Sequence, residues 1–209
     1  MKIAMMIVAL ALAGPASAQS ERSIVAAGVE KPAERIPTDI RRTTLIVRSI
    51  ENSLKLYRDV FGMKVNYDTV VETSGVALPA GKPGAKARLV LLNSNDTYIG
   101  WIGLMEWLDP PIKASRTYRK RMGPGDHVIV TNTDDVDARC AAAAKVPGVT
   151  MTAPARMQEY PGRNGAPPIR VRGCNFFDPD GTLIELNQLL KYVHPMPIIR
   201  HLARHRMDH

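Results

Sequence analysis

Hydrophobic and polar residues alternate along most of the chain, with a period that switches between that of a strand and that of a helix. A β-branched stretch at residues 42–48 predicts a strand, and residues 53–61 carry apolar side chains at helical spacing before Gly62, a helix-ending residue. Three further alternating stretches predict strands at residues 63–72, 87–92 and 98–108. The order is therefore one strand, one helix and three strands.

The same order of elements returns after a basic linker. Residues 127–131 predict a strand, and Asp134 and Asp135 precede an alanine-rich helix that ends near Gly148. Three more strands are predicted at residues 149–152, 169–177 and 182–188, with a loop at 156–168. The pattern indicates an α+β protein made of two βαβββ modules, about 40–110 and 125–190. We expect each module to form a curved sheet, and the two sheets to enclose a cleft.

The two ends of the chain predict targeting and tail segments. Lys2, the apolar run at residues 3–13 and the small residues Ala16-Ser17-Ala18 have the order of a secretory signal peptide spanning residues 1–18. The apolar run is too short for a comfortable membrane span. The pattern therefore predicts a secreted or periplasmic protein with no stable membrane anchor after cleavage. Residues 19–39 are predicted to form a leader arm and residues 191–209 a C-terminal tail.

The charge distribution bears on nucleic-acid binding, and the two cysteines raise the question of a disulfide. The 209 residues carry a formal net charge of +8. The arginines are scattered rather than interleaved with aromatic residues, which argues against nucleic-acid binding. An oxidising compartment permits a disulfide between Cys140 and Cys174, but two buried thiols fit the sequence equally well.

Two stretches carry a family resemblance. The strand and helix at residues 44–63 (TLIVRSIENSLKLYRDVFGM) and the closing hairpin at residues 177–186 (FDPDGTLIEL) resemble the vicinal oxygen chelate superfamily. That superfamily includes glyoxalase I, extradiol dioxygenases, and fosfomycin-resistance and bleomycin-binding proteins. The resemblance covers residues 40–188 and implies a small-molecule ligand. It is also compatible with a homodimer, because relatives often pair through these sheets.

The resemblance implies a metal site with one unusual residue. In metal-using relatives, four strand positions supply ligands to one divalent ion, and the matching residues here are Arg42, Glu106, His127 and Glu185. The spacing from His127 to the following helix is one residue longer than usual. Arginine has no lone pair for a metal. Either Glu106, His127 and Glu185 hold zinc, nickel, manganese or iron, or no metal is bound and Arg42 pairs with the carboxylates.

Alternation along the strands then predicts the lining of the cleft. Arg42, Ile46, Ile102 and Ile129 are the predicted substrate-binding residues, and Glu106 and Glu185 the predicted catalytic ones. The resemblance implies a glyoxalase-like lyase or isomerase for a small oxygen-rich substrate, in which a carboxylate moves a proton. The alternative is a non-catalytic binding protein that needs no metal, like the bleomycin-resistance proteins.

Overall fold

The computed structural model describes residues 38–113, 121–162, 164 and 166–190. The predicted signal peptide, all but the end of the predicted leader arm, and the predicted C-terminal tail lie outside the described residues. Within the described part of the chain, no helix has the length and apolar character needed to cross a membrane. The chain divides into two compact units, one with residues 38–50 and 57–113 and the other with residues 51–56 and 121–190.

The first four strands form one sheet in the order β1-β4-β3-β2, with β1 parallel to β4 and the other pairs antiparallel. After β1, the helix α1 continues as a π-helix. The bounds are β1 Arg42–Ile46, α1 Ile50–Leu54, π-helix Lys55–Val60, β2 Lys64–Thr73, β3 Ala85–Asn93 and β4 Trp101–Asp109. The predicted order of one strand, one helix and three strands is confirmed.

The two faces of this first sheet differ. Leu45, Val47 and Leu104 are buried on one face. The other face, called the Arg42 face from here on, carries Arg42, Thr44 and Ile46 of β1 and Trp101, Gly103, Met105 and Trp107 of β4. On it, Met105 and Trp107 pack with Ala85 and Ala87 in an apolar cluster. This face is therefore mainly hydrophobic, with one arginine at its edge strand.

The second sheet repeats the topology in the order β5-β8-β7-β6, with β5 parallel to β8. The bounds are β5 Val128–Asn132, α2 Val136–Ala143, β6 Thr150–Tyr160, β7 Ile169–Phe177 and β8 Leu183–Leu189. Asp135 begins α2 as predicted, because its side chain accepts a hydrogen bond from the backbone N–H of Ala138 at 3.1 Å. The predicted fold class, two βαβββ modules with curved sheets, is confirmed.

A disulfide joins α2 to its sheet. Cys140 on α2 and Cys174 on β7 are bonded, with their Cα atoms 6.4 Å apart. Both residues are buried. The bond settles the question that the sequence left open between a disulfide and two thiols.

The prediction of a loop from residue 156 was wrong for its first part. β6 continues to Tyr160 and pairs with β7 as far as Ile169. Irregularities in the pairing lie between Met151 and Ala153 and between Ala153 and Arg156. Pro154 falls in the second irregularity, on an edge strand, where a residue without an N–H is tolerated.

The turn before β8 fixes the register of that strand. Asp178 is 1% exposed, and its Oδ1 accepts hydrogen bonds from the backbone N–H groups of Asp180 at 2.9 Å and Thr182 at 2.8 Å. Gly181 supplies the positive φ, 91°, that closes the turn. The predicted turn is confirmed, and it places Glu185 opposite Asn175.

Candidate functional site

Arg42 and Glu106 lie on opposite faces of the first sheet. Arg42 is paired with Trp101 and Ile46 with Met105, so the next residue of β4, Glu106, points away from the Arg42 face. Its Oε2 accepts a hydrogen bond from the backbone N–H of Ile50, at 2.8 Å. Glu106 therefore stabilises the start of α1, and its side chain does not meet that of Arg42.

Two of the predicted lining residues, Ile46 and Ile102, also lie on opposite faces of the first sheet. Ile46 lies on the Arg42 face and is 52% exposed, whereas Ile102 lies on the face of Glu106 and is 7% exposed. Ile102 is therefore packed inside the first unit. Of these two isoleucines, Ile46 is the one whose side chain is open to a ligand.

Gly103 of β4 is paired with Thr44 on the Arg42 face, two residues after Trp101, the partner of Arg42. A Cβ atom there would lie 2.7 Å from Thr44 Oγ1 and 3.3 Å from Arg42 Cδ. The first distance is closer than real Cβ atoms approach. The side chains of Arg42 and Thr44 therefore occupy the space that a larger residue at position 103 would need. β4 has no carboxylate at this position.

In the second sheet, Glu185 shares its face with valines rather than with His127. Val128 is paired with Leu183 and Val130 with Glu185, so both valines lie on the face of Glu185. His127 is exposed and precedes β5 by one residue. Ile129, another predicted lining residue, lies on the opposite face. The sequence has one residue more than usual between His127 and α2, which is consistent with His127 lying one residue before β5.

The carboxylate of Glu185 is held by polar neighbours. Its Oε1 accepts a hydrogen bond from Asn187 Nδ2 at 2.7 Å, and the hydroxyl of Tyr160 lies 3.5 Å from the same oxygen. That hydroxyl is also 3.1 Å from Oε1 of Gln158. Side chains of two strands, β6 and β8, therefore form one polar group around Glu185.

Gly173 of β7 makes this polar group sterically feasible. A Cβ atom at Gly173 would collide with Asn187 Oδ1 and would lie 3.1 Å from Gln158 Nε2. Within the described part of the chain, these two amide atoms are buried without hydrogen-bond partners. An alanine at this position would push Asn187 away from Glu185.

Sequence reasoning missed Asn187, Gln158 and Tyr160. Asn187 could have been found, since it follows Glu185 at the spacing of one strand face. Gln158 and Tyr160 alternate in the same way, but they fell inside the segment predicted as a loop. Gly173 carried no signal by itself, because a glycine within a strand has several explanations.

The donor set does not fit the metal centre that the resemblance implies. Arg42 has no lone pair for a metal. Glu106 lies on the opposite face of the first sheet and is hydrogen-bonded to Ile50, and His127 precedes β5 by one residue. Across the described residues, no group of three or more His, Cys, Asp and Glu side chains is placed to hold a metal ion.

The clearest electrostatic interactions lie away from Arg42 and Glu185. A hydrogen bond from the side chain of Arg88 lowers the pKa of Asp68, with Arg88 Nη2 at 2.7 Å from Asp68 Oδ2. A matching bond from Arg172, also at 2.7 Å, lowers the pKa of Asp137. These are partly exposed pairs within single units, and they contribute to local stability rather than to a site.

Comparisons with known proteins agree with this geometry at the level of the fold. The sequence model of the glyoxalase/bleomycin resistance protein/dioxygenase superfamily matches residues 39–186. The chain belongs to this superfamily. No curated protein matches the sequence.

A solved structure shows the same fold at low sequence identity. A glyoxalase family protein from Bacillus cereus is 17% identical, with a TM-score of 0.57, over 77% of this chain and 99% of that protein. Glyoxalase I from Leishmania major, described as trypanothione-dependent, is 21% identical, with a TM-score of 0.42, over 72% of this chain and 86% of that one.

Proposed function

We propose that this protein is an exported member of the superfamily that binds a small organic molecule without the four-ligand metal centre of its metal-using relatives. Export rests on the order of charged, apolar and small residues in 1–18. Small-molecule binding rests on family membership, on the exposed β1 residues Arg42, Thr44 and Ile46, and on the polar group around Glu185. The observation that carries the proposal is that Arg42 cannot ligate a metal and that Glu106, matched to a second ligand position, lies on the opposite face of the first sheet.

The chemistry of these residues favours binding over metal-assisted catalysis. A divalent ion in this superfamily polarises substrate oxygens, and it needs several convergent lone pairs to be held. An arginine cannot take that place as a ligand, but its guanidinium binds anionic oxygens directly. At a position where metal-using relatives carry a metal ligand, Arg42 therefore offers a group that binds oxygen atoms of the ligand directly.

A second candidate function is a glyoxalase-like lyase or isomerase that uses no metal. The geometry of Glu185 favours it, because a carboxylate fixed by Asn187 and Tyr160 is suited to take a proton from a carbon atom next to a carbonyl. Such an enzyme exchanges that substrate hydrogen with deuterium in D2O. Loss of exchange in Glu185→Gln, with exchange retained in Glu159→Gln, supports the enzyme. Glu159 is a suitable control because it is exposed and lies on β6, where its pair with Arg170 is 3.8 Å long.

Metal analysis tests the main proposal. Purified protein, loaded separately with zinc, nickel, manganese and iron and then desalted, is expected to retain less than about a tenth of an equivalent of each ion. In a thermal-shift screen of small carboxylates, amides and sugars, stabilising compounds are expected to act equally with and without EDTA. Retention of about one equivalent of metal, or ligand effects that EDTA abolishes, would refute the proposal.

Export has its own test. Expression in a Gram-negative host is expected to give a periplasmic protein whose mass corresponds to a start at Gln19. A protein that keeps Met1 and stays in the cytoplasm contradicts this part of the proposal and leaves the ligand-binding part intact.

A further inference from the structure

Arg42 is an exposed guanidinium on a surface that offers it no carboxylate. Among the residues that the structure describes, the side chain of Arg42 makes neither a hydrogen bond nor an ion pair. Between Trp101 and Trp107, β4 contributes no acidic side chain to the Arg42 face, and the β3 residues opposite are Leu91, Leu89 and Ala87. An unpaired cation beside apolar side chains is a ready partner for an anion.

The groups beside Arg42 are hydrogen-bond donors. Thr44 is the next residue of β1 on the same face, and its hydroxyl lies against Gly103 together with the stem of Arg42. Trp101 is paired directly with Arg42, is 9% exposed, and has an indole N–H without a partner among the described residues. A ligand group that supplies hydrogen-bond acceptors matches this set, because the guanidinium and the indole N–H only donate and the hydroxyl can donate.

A carboxylate fits this description better than phosphate. The guanidinium presents parallel N–H groups in a plane, which match the two oxygens of a carboxylate. Ile46, 52% exposed on the same face, offers contact to an organic body. Inorganic phosphate has no such body, and its further oxygens would face apolar side chains.

We propose that Arg42, Thr44 and Trp101 form a binding site for the carboxylate group of a small organic acid. This inference rests on the proposed function, because it names the ligand class that the protein binds. Arg42 forms the paired hydrogen bonds, Thr44 adds a hydroxyl donor, and the bound anion lies beside the unpaired indole N–H of Trp101. Gly103 leaves room for the arginine stem to lie flat along the sheet.

The indole N–H signals of the two tryptophans provide a direct measure of carboxylate binding. The chain contains two Trp residues, so the ¹⁵N-labelled protein gives two indole N–H signals in an NMR spectrum. Trp107 lies farther along β4 on the same face and serves as an internal reference. Titration with sodium benzoate is expected to shift the Trp101 signal in a saturable way and to leave Trp107 nearly unchanged. Benzamide, the neutral analogue of the same shape, is expected to shift neither.

Matched arginine variants locate the site. Arg42→Gln is expected to weaken benzoate binding roughly tenfold or more, because it removes a charge-assisted pair of hydrogen bonds. Arg41→Gln makes the same change of charge one residue away, where the guanidinium lies 5.1 Å from the ring centre of Tyr98. It is expected to leave binding within about twofold of the unsubstituted protein. An unchanged Trp107 signal shows that each variant is folded.

The outcomes separate this inference from the proposed function. Equal weakening in both variants, an unchanged response in Arg42→Gln, or tighter binding of inorganic phosphate than of benzoate overturns the carboxylate site. If the thermal-shift screen finds metal-independent ligands while benzoate shifts neither tryptophan signal, the carboxylate site fails and the proposed function stands. If metal analysis finds a full equivalent, the proposed function fails whatever benzoate does.

Discussion

The disulfide between Cys140 and Cys174 allows a quantitative prediction about stability. The two residues are 34 positions apart in sequence, and cross-linking them removes conformational freedom from the unfolded chain. The loop-entropy relation for a closed loop of this length gives about 3.8 kcal/mol at 25 °C. We therefore expect reduction to lower the free energy of unfolding by roughly that amount, before any packing change is considered.

Urea denaturation followed by far-UV circular dichroism measures this difference, because both tryptophans lie in the first unit and the disulfide lies in the second. Oxidised and reduced protein are compared first, because both retain the two buried sulfur atoms and differ in the link itself. The double variant Cys140→Ala/Cys174→Ala is the control, since a reducing agent is expected to have no effect on it. A difference below about 1 kcal/mol between oxidised and reduced protein would refute the reasoning that the link stabilises the second unit.

Three smaller perturbations follow from single contacts. Glu106→Ala should lower the free energy of unfolding by about 1 to 3 kcal/mol, because the N–H of Ile50 loses its acceptor. Glu106→Gln keeps an acceptor oxygen and should retain most of this stability. Equal losses for the two variants in urea titrations argue against this role of Glu106. Asp178→Ala should cost roughly 3 kcal/mol in the same assay, because two backbone N–H groups of the turn lose a buried acceptor, and a loss below about 0.5 kcal/mol contradicts it. Asp68→Asn should cost less than about 1 kcal/mol at pH 7, since the pair with Arg88 is partly exposed. Because the pKa of Asp68 in the folded protein is lowered from 3.8, the stabilisation by this pair is present above pH 3.8 and lost as the pH falls through the lowered value. If the unfolding free energies of the unsubstituted protein and Asp68→Asn differ by a constant amount from pH 7 to about pH 2, the assignment is contradicted.

The sequence predicted the order of elements well because each element carries its own period. The strands of residues 64–73 and 183–189 alternate, and the turn at Asp178 has the residues that such a turn requires. The second half of β6 was not predicted because Pro161, Gly162 and Gly165 favoured a loop. Pairing with β7 overrides that local signal, and no window of the sequence contains the pairing.

The candidate site was harder to predict because it depends on strand register. A shift of one residue moves a side chain to the other face of a sheet. Counting along the sequence placed Glu106 with Arg42, but the pairing of Arg42 with Trp101 puts Gly103 on that face and Glu106 against α1. In the second sheet, a difference of one residue places Val128, rather than His127, beside the β8 residues of the Glu185 face.

This dependence on register explains why family membership fixes the fold of this chain but not its chemistry. The motifs that identify the superfamily, the strand and helix at 44–63 and the turn before β8, fold through local hydrogen bonds and apolar packing. Metal binding needs convergent side chains from several strands, and loss of one or two of them leaves the sheets intact. Glu185, held by Asn187, keeps its orientation through contacts inside its own sheet. Arg42 can therefore stand at a position that the family resemblance matches to a metal ligand without disturbing the fold, and its guanidinium is suited to bind an organic anion.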